Sequence, residues 1–369
     1  MGTLAVLKDP EAIRAQQIAQ QEQLKGARVH MLKATPETCF WGFFDKTLPP
    51  VLKIRSGDIV YVETLTHQAG DAPDLLMDEG VKLVYDQITE RGPGVHIMTG
   101  PIAVEEAEPG DTLEVRILGM TPRLPYGTNI AAHWGYLYKD FNTERITIYK
   151  FDVGTRLARA EFAFTYKTTP KYDRPGTITP PNPEARQKVL QGVVVPLRPH
   201  FGVMGVAPKE SGKINSIPPG DFGGNIDNWR IGAGATMYSP IFNKGANFYM
   251  GDPHMAEGDG ELSGTAIEAS ANGWVQIFVR KDFPITNPIL ETETHWITHG
   301  FNEDLNLAMR QAANQMLQFL VEKKKLSRDE AYSLMSVAVD FGITQVVDIR
   351  QGVHAAVPKN VFLPVLDTV

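Results

Sequence analysis

The chain has 369 residues, of which 33 are glycine and 26 proline, about one residue in six, against roughly 12% for the two together in an average protein. Turn-forming residues at that density argue against a helical bundle, and 43% apolar content suffices for a sizeable core. With 36 basic and 43 acidic side chains the net charge is −7, which argues against nucleic acid or an anionic membrane as the main partner. The single cysteine, Cys39, excludes an intrachain disulfide and a Cys-based zinc site, and agrees with a cytoplasmic setting. The Gln-rich start lacks the apolar stretch of a secretory signal, and no apolar run of about 18 residues occurs.

Residues 9–25 read as a helix, with Asp9 as cap, Pro10 in the first turn and Gly26 as stop. From residue 28 apolar and polar residues alternate through RVHMLKA, DIVYVETL, HIMTGPIAVEEA and DTLEVRILGM, the pattern of half-buried strands. Between them DLLMDEGVKLVYDQI has helical spacing. TPRLPYGTNIAAHWGYLYKD reads as loop, ITIYKFDVGT and AEFAFTYKT as strands, and 166–189 as a Pro-rich connecting loop. Strands return from GVVVPLRPHFGVMGVAP to GWVQIFVRK. A long amphipathic helix over 301–325 and a second opened by the capping box Ser327–Glu330 follow, then a short strand ITQVVDIR and a tail. This predicts a mainly β, α+β fold with a C-terminal helix pair. The units are an N-terminal arm (1–27) and two β-rich domains (28–165 and 190–369). Apolar surface on the paired helices would serve a homo-oligomer.

The densest polar region is 220–268, where Asp221, Asp227, Asp252, His254, Glu257, Asp259, Glu261 and Glu268 sit among glycines. Imidazole with carboxylates suits a divalent ion such as zinc. Asp252 and His254 are two apart, as are Asp259 and Glu261, so on strands each pair would share one face. An acidic hairpin with a solvated turn accounts for the same residues, because Gly-Asp-Gly is ordinary turn chemistry. His96 and His133 suit structural hydrogen bonding at least as well as ligation, and His67, His295 and His299 lie in polar stretches that suit the surface. No dinucleotide loop, P-loop or nucleophile-elbow serine is present, and Cys39 reads as a small buried residue.

The segments HIMTGPIAVEEAEPGDTLEV (96–115), FGVMGVAP (201–208), PPGDFGGNID (218–227), GANFYMGDPHMAEGDGELSGTAIE (245–268) and SRDEAYSLMSVAVDFGITQVV resemble the acetamidase/formamidase family, in the family's order. The resemblance covers about 30 to 369 and implies a mainly β, two-part fold that is β-sandwich-like. It implies hydrolysis of small formamide- or acetamide-like carboxamides to carboxylate and ammonia, or of cyclic amides (γ-lactams) as in some relatives, and a divalent metal, zinc or calcium. Carried over by motif, Asp252, His254, Asp259 and Glu261 match GDxHxxxGDGE, Asn225 and Asp227 match GGNxD, Glu268 matches AIE, and His96 matches HxxTGPI. His133 stands near a Gly/Trp pair as in relatives. On this basis His254, Asp227, Asp252 and His133 form the metal-ligand pool, and Glu268, Glu261 and Asp259 the catalytic candidates. His96, Asn225 and Trp134 would bind substrate, in a small pocket also lined by Phe222 and Met250. With no serine or cysteine nucleophile in evidence, metal-activated water is the economical route. A non-catalytic β-rich binding protein with a structural Ca2+ site is the reading from another class, and His254 among the acids is the feature that favours a softer metal.

Overall fold

The computed structural model describes residues 10–141, 143–167 and 176–362. Asp9 and residues 168–175 of the Pro-rich loop lie outside the described residues. Alternating segments pair into a nine-stranded sheet whose order is Val29–Leu32, Ile59–Thr64, Ala271–Arg280, Thr112–Pro122, Thr236–Pro240, Ile289–Glu291, His295–Asn302, Gln351–Pro358 and Asp340–Gln345. A six-stranded sheet runs Gly223–Asn225, His200–Gly205, Phe248–His254, Ile97–Val104 and Cys39–Trp41, with Leu52–Ile54 added in parallel to Ile97–Val104. Strands from both halves of the sequence alternate within these two sheets.

The two sheets bury a common core. Val62, Val115 and Ile277 from the larger sheet join Met98, Val203 and Met250 from the smaller, all buried in one cluster. Alternation predicted the strands, and their packing is the sandwich that the resemblance implies. A four-stranded sheet, Val195–Pro196, Leu157–Lys167, Glu144–Asp152 and Tyr126–Ala131, supplies Ile130, Ile146, Ile148 and Phe162 to a second core with Leu76, Val81 and Val84. Leu76 lies in the short helix Pro73–Leu76, and Val81 and Val84 lie in Glu79–Gln87, which Asp78 caps through the Val81 N–H. The stretch from Tyr126, read as loop, is thus a strand up to Ala131.

The C-terminal helix pair is Leu305–Lys324 and Arg328–Ala338. Asp304 caps the first, and Ser327 and Glu330 close the capping box of the second, as the sequence predicts. Ala308, Ala312, Met316 and Phe319 pack on Val353, Ala355 and Val357. The tail beyond Arg350, given no element from sequence, is the strand Gln351–Pro358, while Val346–Arg350 is the turn that enters it. No described helix is long and apolar enough to cross a membrane.

The long helix lies against its sheet because Gly300 has no side chain. A Cβ there would lie 2.2 Å from the Ala308 carbonyl oxygen and 2.3 Å from the Ala312 nitrogen, both backbone atoms that cannot swing away. Gly300→Ala should therefore lower stability by about 1–3 kcal/mol in chemical denaturation, and an unchanged midpoint would show that the helix can shift at no cost.

Candidate active site

The strand Phe248–His254 carries Asp252 and His254 into the end of the smaller sheet. Neighbouring segments bring the rest. His96 precedes Ile97–Val104, His67 follows Ile59–Thr64, Asp227 follows Gly223–Asn225, and Asp348 sits in the turn before the last strand. Glu257, Glu261 and Glu268 lie on the chain after His254, and Glu268 is fixed by backbone bonds exchanged with Thr128 at 2.7 and 2.8 Å. Three of these acids have left-handed backbones: Asp227 at φ 48°, Asp252 at φ 49° and Glu261 at φ 46°. Non-glycine residues adopt that conformation at a cost that the surroundings must offset. Gly202 makes the space between them, since a Cβ there would lie 2.4 Å from Asp227 Oδ1 and 2.6 Å from Asp252 Oδ2.

His254 is the hub. Its Nε2 lies 3.1 Å from Asp252 Oδ2 and 3.2 Å from Glu268 Oε1. Its Nδ1 lies 3.2 Å from Glu257 Oε2 and 3.1 Å from His200 Nε2, and Glu257 and His200 are themselves 2.8 Å apart, closing a buried triangle. His200 Nδ1 donates to the Arg198 carbonyl at 2.6 Å. His96 Nδ1 donates to the Ser216 carbonyl at 3.2 Å, because a carbonyl only accepts. That leaves the His96 Nε2 lone pair facing Asp252 Oδ2 at 3.6 Å. His67 Nδ1 faces Asp252 Oδ1 at 3.9 Å, and neither of those atoms has a hydrogen-bond partner.

Burial sets most of the charges. It pushes His67 down to about 3 and lowers His96, leaving both imidazoles neutral with lone pairs available. Burial also raises Glu268 to about 7 and Asp348 to about 8, and with Glu261 and Asp348 as neighbours it lifts Asp227 well above the carboxylate range. Glu261 rises for the same reason, with Glu257 adding to the effect. Burial works against charge on His254 and Asp252, but each is outweighed: Glu268 and Asp252 hold His254 protonated, and the protonated His254 holds Asp252 ionised.

The cluster floors a cavity of about 330 Å3, onto which His67, His96, Asn225, Asp227, Asp252, Glu261 and Glu268 open, with Trp134 in its wall. These include most of the residues singled out from sequence. Two others lie elsewhere. Asp259 turns away to Arg230, which grips it at 2.8 and 2.9 Å and, against the effect of burial, holds its carboxyl below the ordinary range. Asp259 and Glu261 therefore do not share a face, because their segment is no strand. His133 pairs with Glu144 at 2.9 Å and belongs to no group of clustered ligand atoms among the described residues. Phe222 and Met250 are core residues instead of cavity walls. His67 and His299, which suited the surface, are respectively a cavity residue and buried. His200, Glu257, Asp348 and Asp71 join the site or its support without having been selected from sequence. Cys39 is buried, and burial pushes its thiol up to about 12.

The residues fit a divalent cation. His67, His96 and Asp252 offer ligand atoms within 4.8 Å of one another, as do Asp252, His254 and Glu268, and Asp227, His254, Glu257 and Glu261. Buried acceptors without partners crowd here: Asp227 Oδ1, Asp252 Oδ1, Glu257 Oε1, Glu261 Oε2, Glu268 Oε2 and Asp348 Oδ2. Lone pairs facing one another across 3.6 and 3.9 Å leave room for a cation where no proton bridges them. His96 has the partner that orients a metal-binding imidazole, its other nitrogen donating to a carbonyl.

The chain is similar to a formamidase from Methylophilus methylotrophus, 26% identical with 85% of this chain and 87% of that protein covered. An acetamidase from Yersinia enterocolitica superposes with a TM-score of 0.74 at 25% identity, over 92% of this chain and 94% of that one. An acetamidase from Bacillus halodurans gives 0.70 at 28% identity, over 90% and 98%. The acetamidase/formamidase family model matches residues 34–213 and 210–363, so the chain belongs to the acetamidase/formamidase family.

Proposed function

We propose that the protein hydrolyses primary carboxamides to a carboxylate and ammonia at the floor of this cavity, with His67, His96 and Asp252 holding a divalent cation. Family membership supports an amide hydrolase. The observation that carries the mechanistic reading is the convergence of His67, His96, Asp252 and Glu268 on one cavity, with His67 Nδ1, Asp252 Oδ1 and Glu268 Oε2 unpartnered. Two imidazoles and a carboxylate favour zinc over calcium, which prefers an all-oxygen shell. When bound, such an ion supplies Lewis-acid chemistry toward the amide oxygen and acidifies water.

The chain's own groups do the proton handling. Glu268 is the acid–base residue. Its Oε1 is anchored by the Ala266 N–H at 3.0 Å and faces His254, while Oε2 is without a partner. Its ordinary range is raised to about 7 by burial, so it exchanges protons near neutrality. Oε2 takes a proton from the attacking water and returns it to the amide nitrogen as the C–N bond breaks. Asn225 Oδ1, also unpartnered, accepts from the amide NH2 and orients it. Glu261 and Asp227, held above the carboxylate range, stay protonated beneath and add no further negative charge to the floor. Formamide and acetamide are the smallest members of this substrate class and fit the cavity.

Ammonia release from a short amide should stop on chelation and return on adding zinc. His96→Ala should lower the metal content, whereas Glu268→Gln should keep the metal and lose roughly 10^2–10^4-fold in kcat. Full activity in a metal-free preparation, or in Glu268→Gln, would refute the assignment. Gly202→Ala should displace Asp227 and Asp252 and cost at least about tenfold in activity, as misplacement of reacting groups does, while thermal unfolding changes little. An unaffected rate would mean that the close approach is not needed.

A further inference from the structure

The cavity is larger than the smallest amides require. Its volume is about 330 Å3, about twice the roughly 150 Å3 that accommodates a benzene ring. Formamide or acetamide at the floor would occupy the polar end and leave the rest unfilled. Apolar side chains make up much of the lining, Val95, Ile130, Trp134, Ile217, Val347 and Ile349, with Asp71, Glu144 and Tyr166 among the polar ones beside them.

Two of these residues are held in place by local geometry. Trp134 lies flush against Gly264, where a Cβ would meet its Cδ1 at 2.4 Å, and Gly264 itself has φ +95°. The edge of His133 meets the indole with ring centroids 5.1 Å apart. The indole therefore forms a fixed plate along one wall. Ile349 is β-branched yet left-handed at φ 66°, and it remains 57% exposed where it meets the cavity. A β-branched residue in that conformation is an outlier, and strain of this kind concentrates at functional positions. Its neighbour Asp348 belongs to the polar floor, so one short turn supplies both a floor carboxyl and an apolar rim.

We propose that the substrate's acyl group is apolar and bulky, a medium-length alkyl or arylalkyl chain of the size of hexanamide or phenylacetamide, with its amide at Glu268 and its chain along Trp134 and Ile217. The proposal rests on the amide-hydrolase reading above. Burial of a methylene against such a wall is worth roughly fourfold in kcat/KM, because contacts remote from the reacting bond lower the barrier relative to free substrate.

The test is a homologous series assayed with the metal-loaded enzyme: acetamide, butyramide, hexanamide and phenylacetamide, with ammonia release as readout. Hexanamide or phenylacetamide should exceed acetamide in kcat/KM by at least about tenfold. Ile217→Trp, which adds bulk to the apolar lining, should lower the hexanamide-to-acetamide ratio by at least about tenfold. A series in which acetamide is the best substrate, or a ratio unmoved by Ile217→Trp, overturns the proposal while leaving the hydrolase reading intact. Ammonia release from no member of the series overturns the hydrolase reading and the proposal with it.

Discussion

Six carboxyl groups, those of Asp227, Asp252, Glu257, Glu261, Glu268 and Asp348, are buried beside the imidazoles of His96, His200 and His254 with His67 at the edge. A carboxylate removed from water without a partner costs several kcal/mol. The leading influences on these groups are burial and one another, with no lysine or arginine among them. His254 and Asp252 offset each other's charge, while Asp227, Glu261, Glu268 and Asp348 are pushed towards their protonated forms. That crowding of carboxyls in a dry place underlies both their raised proton affinities and the ligand geometry.

The fold maintains this unfavourable arrangement from the outside in. The sandwich core, built from fully buried side chains of two sheets, supplies the stability that a polar cluster cannot. Left-handed backbones carry Asp227, Asp252 and Glu261 into the cluster, and Gly202 keeps space between the carboxyls of Asp227 and Asp252. The His200–Glu257–His254 triangle fixes the central imidazole from behind, on the side away from the cavity. Glu268 is held by pairing with Thr128 of the four-stranded sheet, so that sheet also contributes to the position of the proposed acid–base group.

Much of this was legible in the sequence where the signal is local. Alternation marked the long strands, caps marked the terminal helices, and the GDPH and AIE motifs marked Asp252, His254 and Glu268. What was not legible depends on contacts between distant segments. His67 sits in a polar stretch that reads as surface, and only the pairing of Ile59–Thr64 with Ala271–Arg280 carries it to the cavity. Asp348 is one acid in a turn, brought in by a parallel bridge between Gly260 and Gln345. Asp259 shares a motif with Glu261 but points to Arg230, because the segment is irregular and the period of two does not apply. Cavity size has no sequence signature, since its walls come from five or more separated segments.

The central claim is that the buried crowding of carboxyls exists to hold a cation at the cavity floor. Anomalous diffraction from crystals of the active protein, recorded either side of the absorption edge of its bound metal, tests this directly. The account predicts one strong peak within ligation distance of His67 Nδ1, His96 Nε2 and Asp252. Crystals of active enzyme with no peak there, and protonated carboxyls bonded to one another in its place, would contradict it.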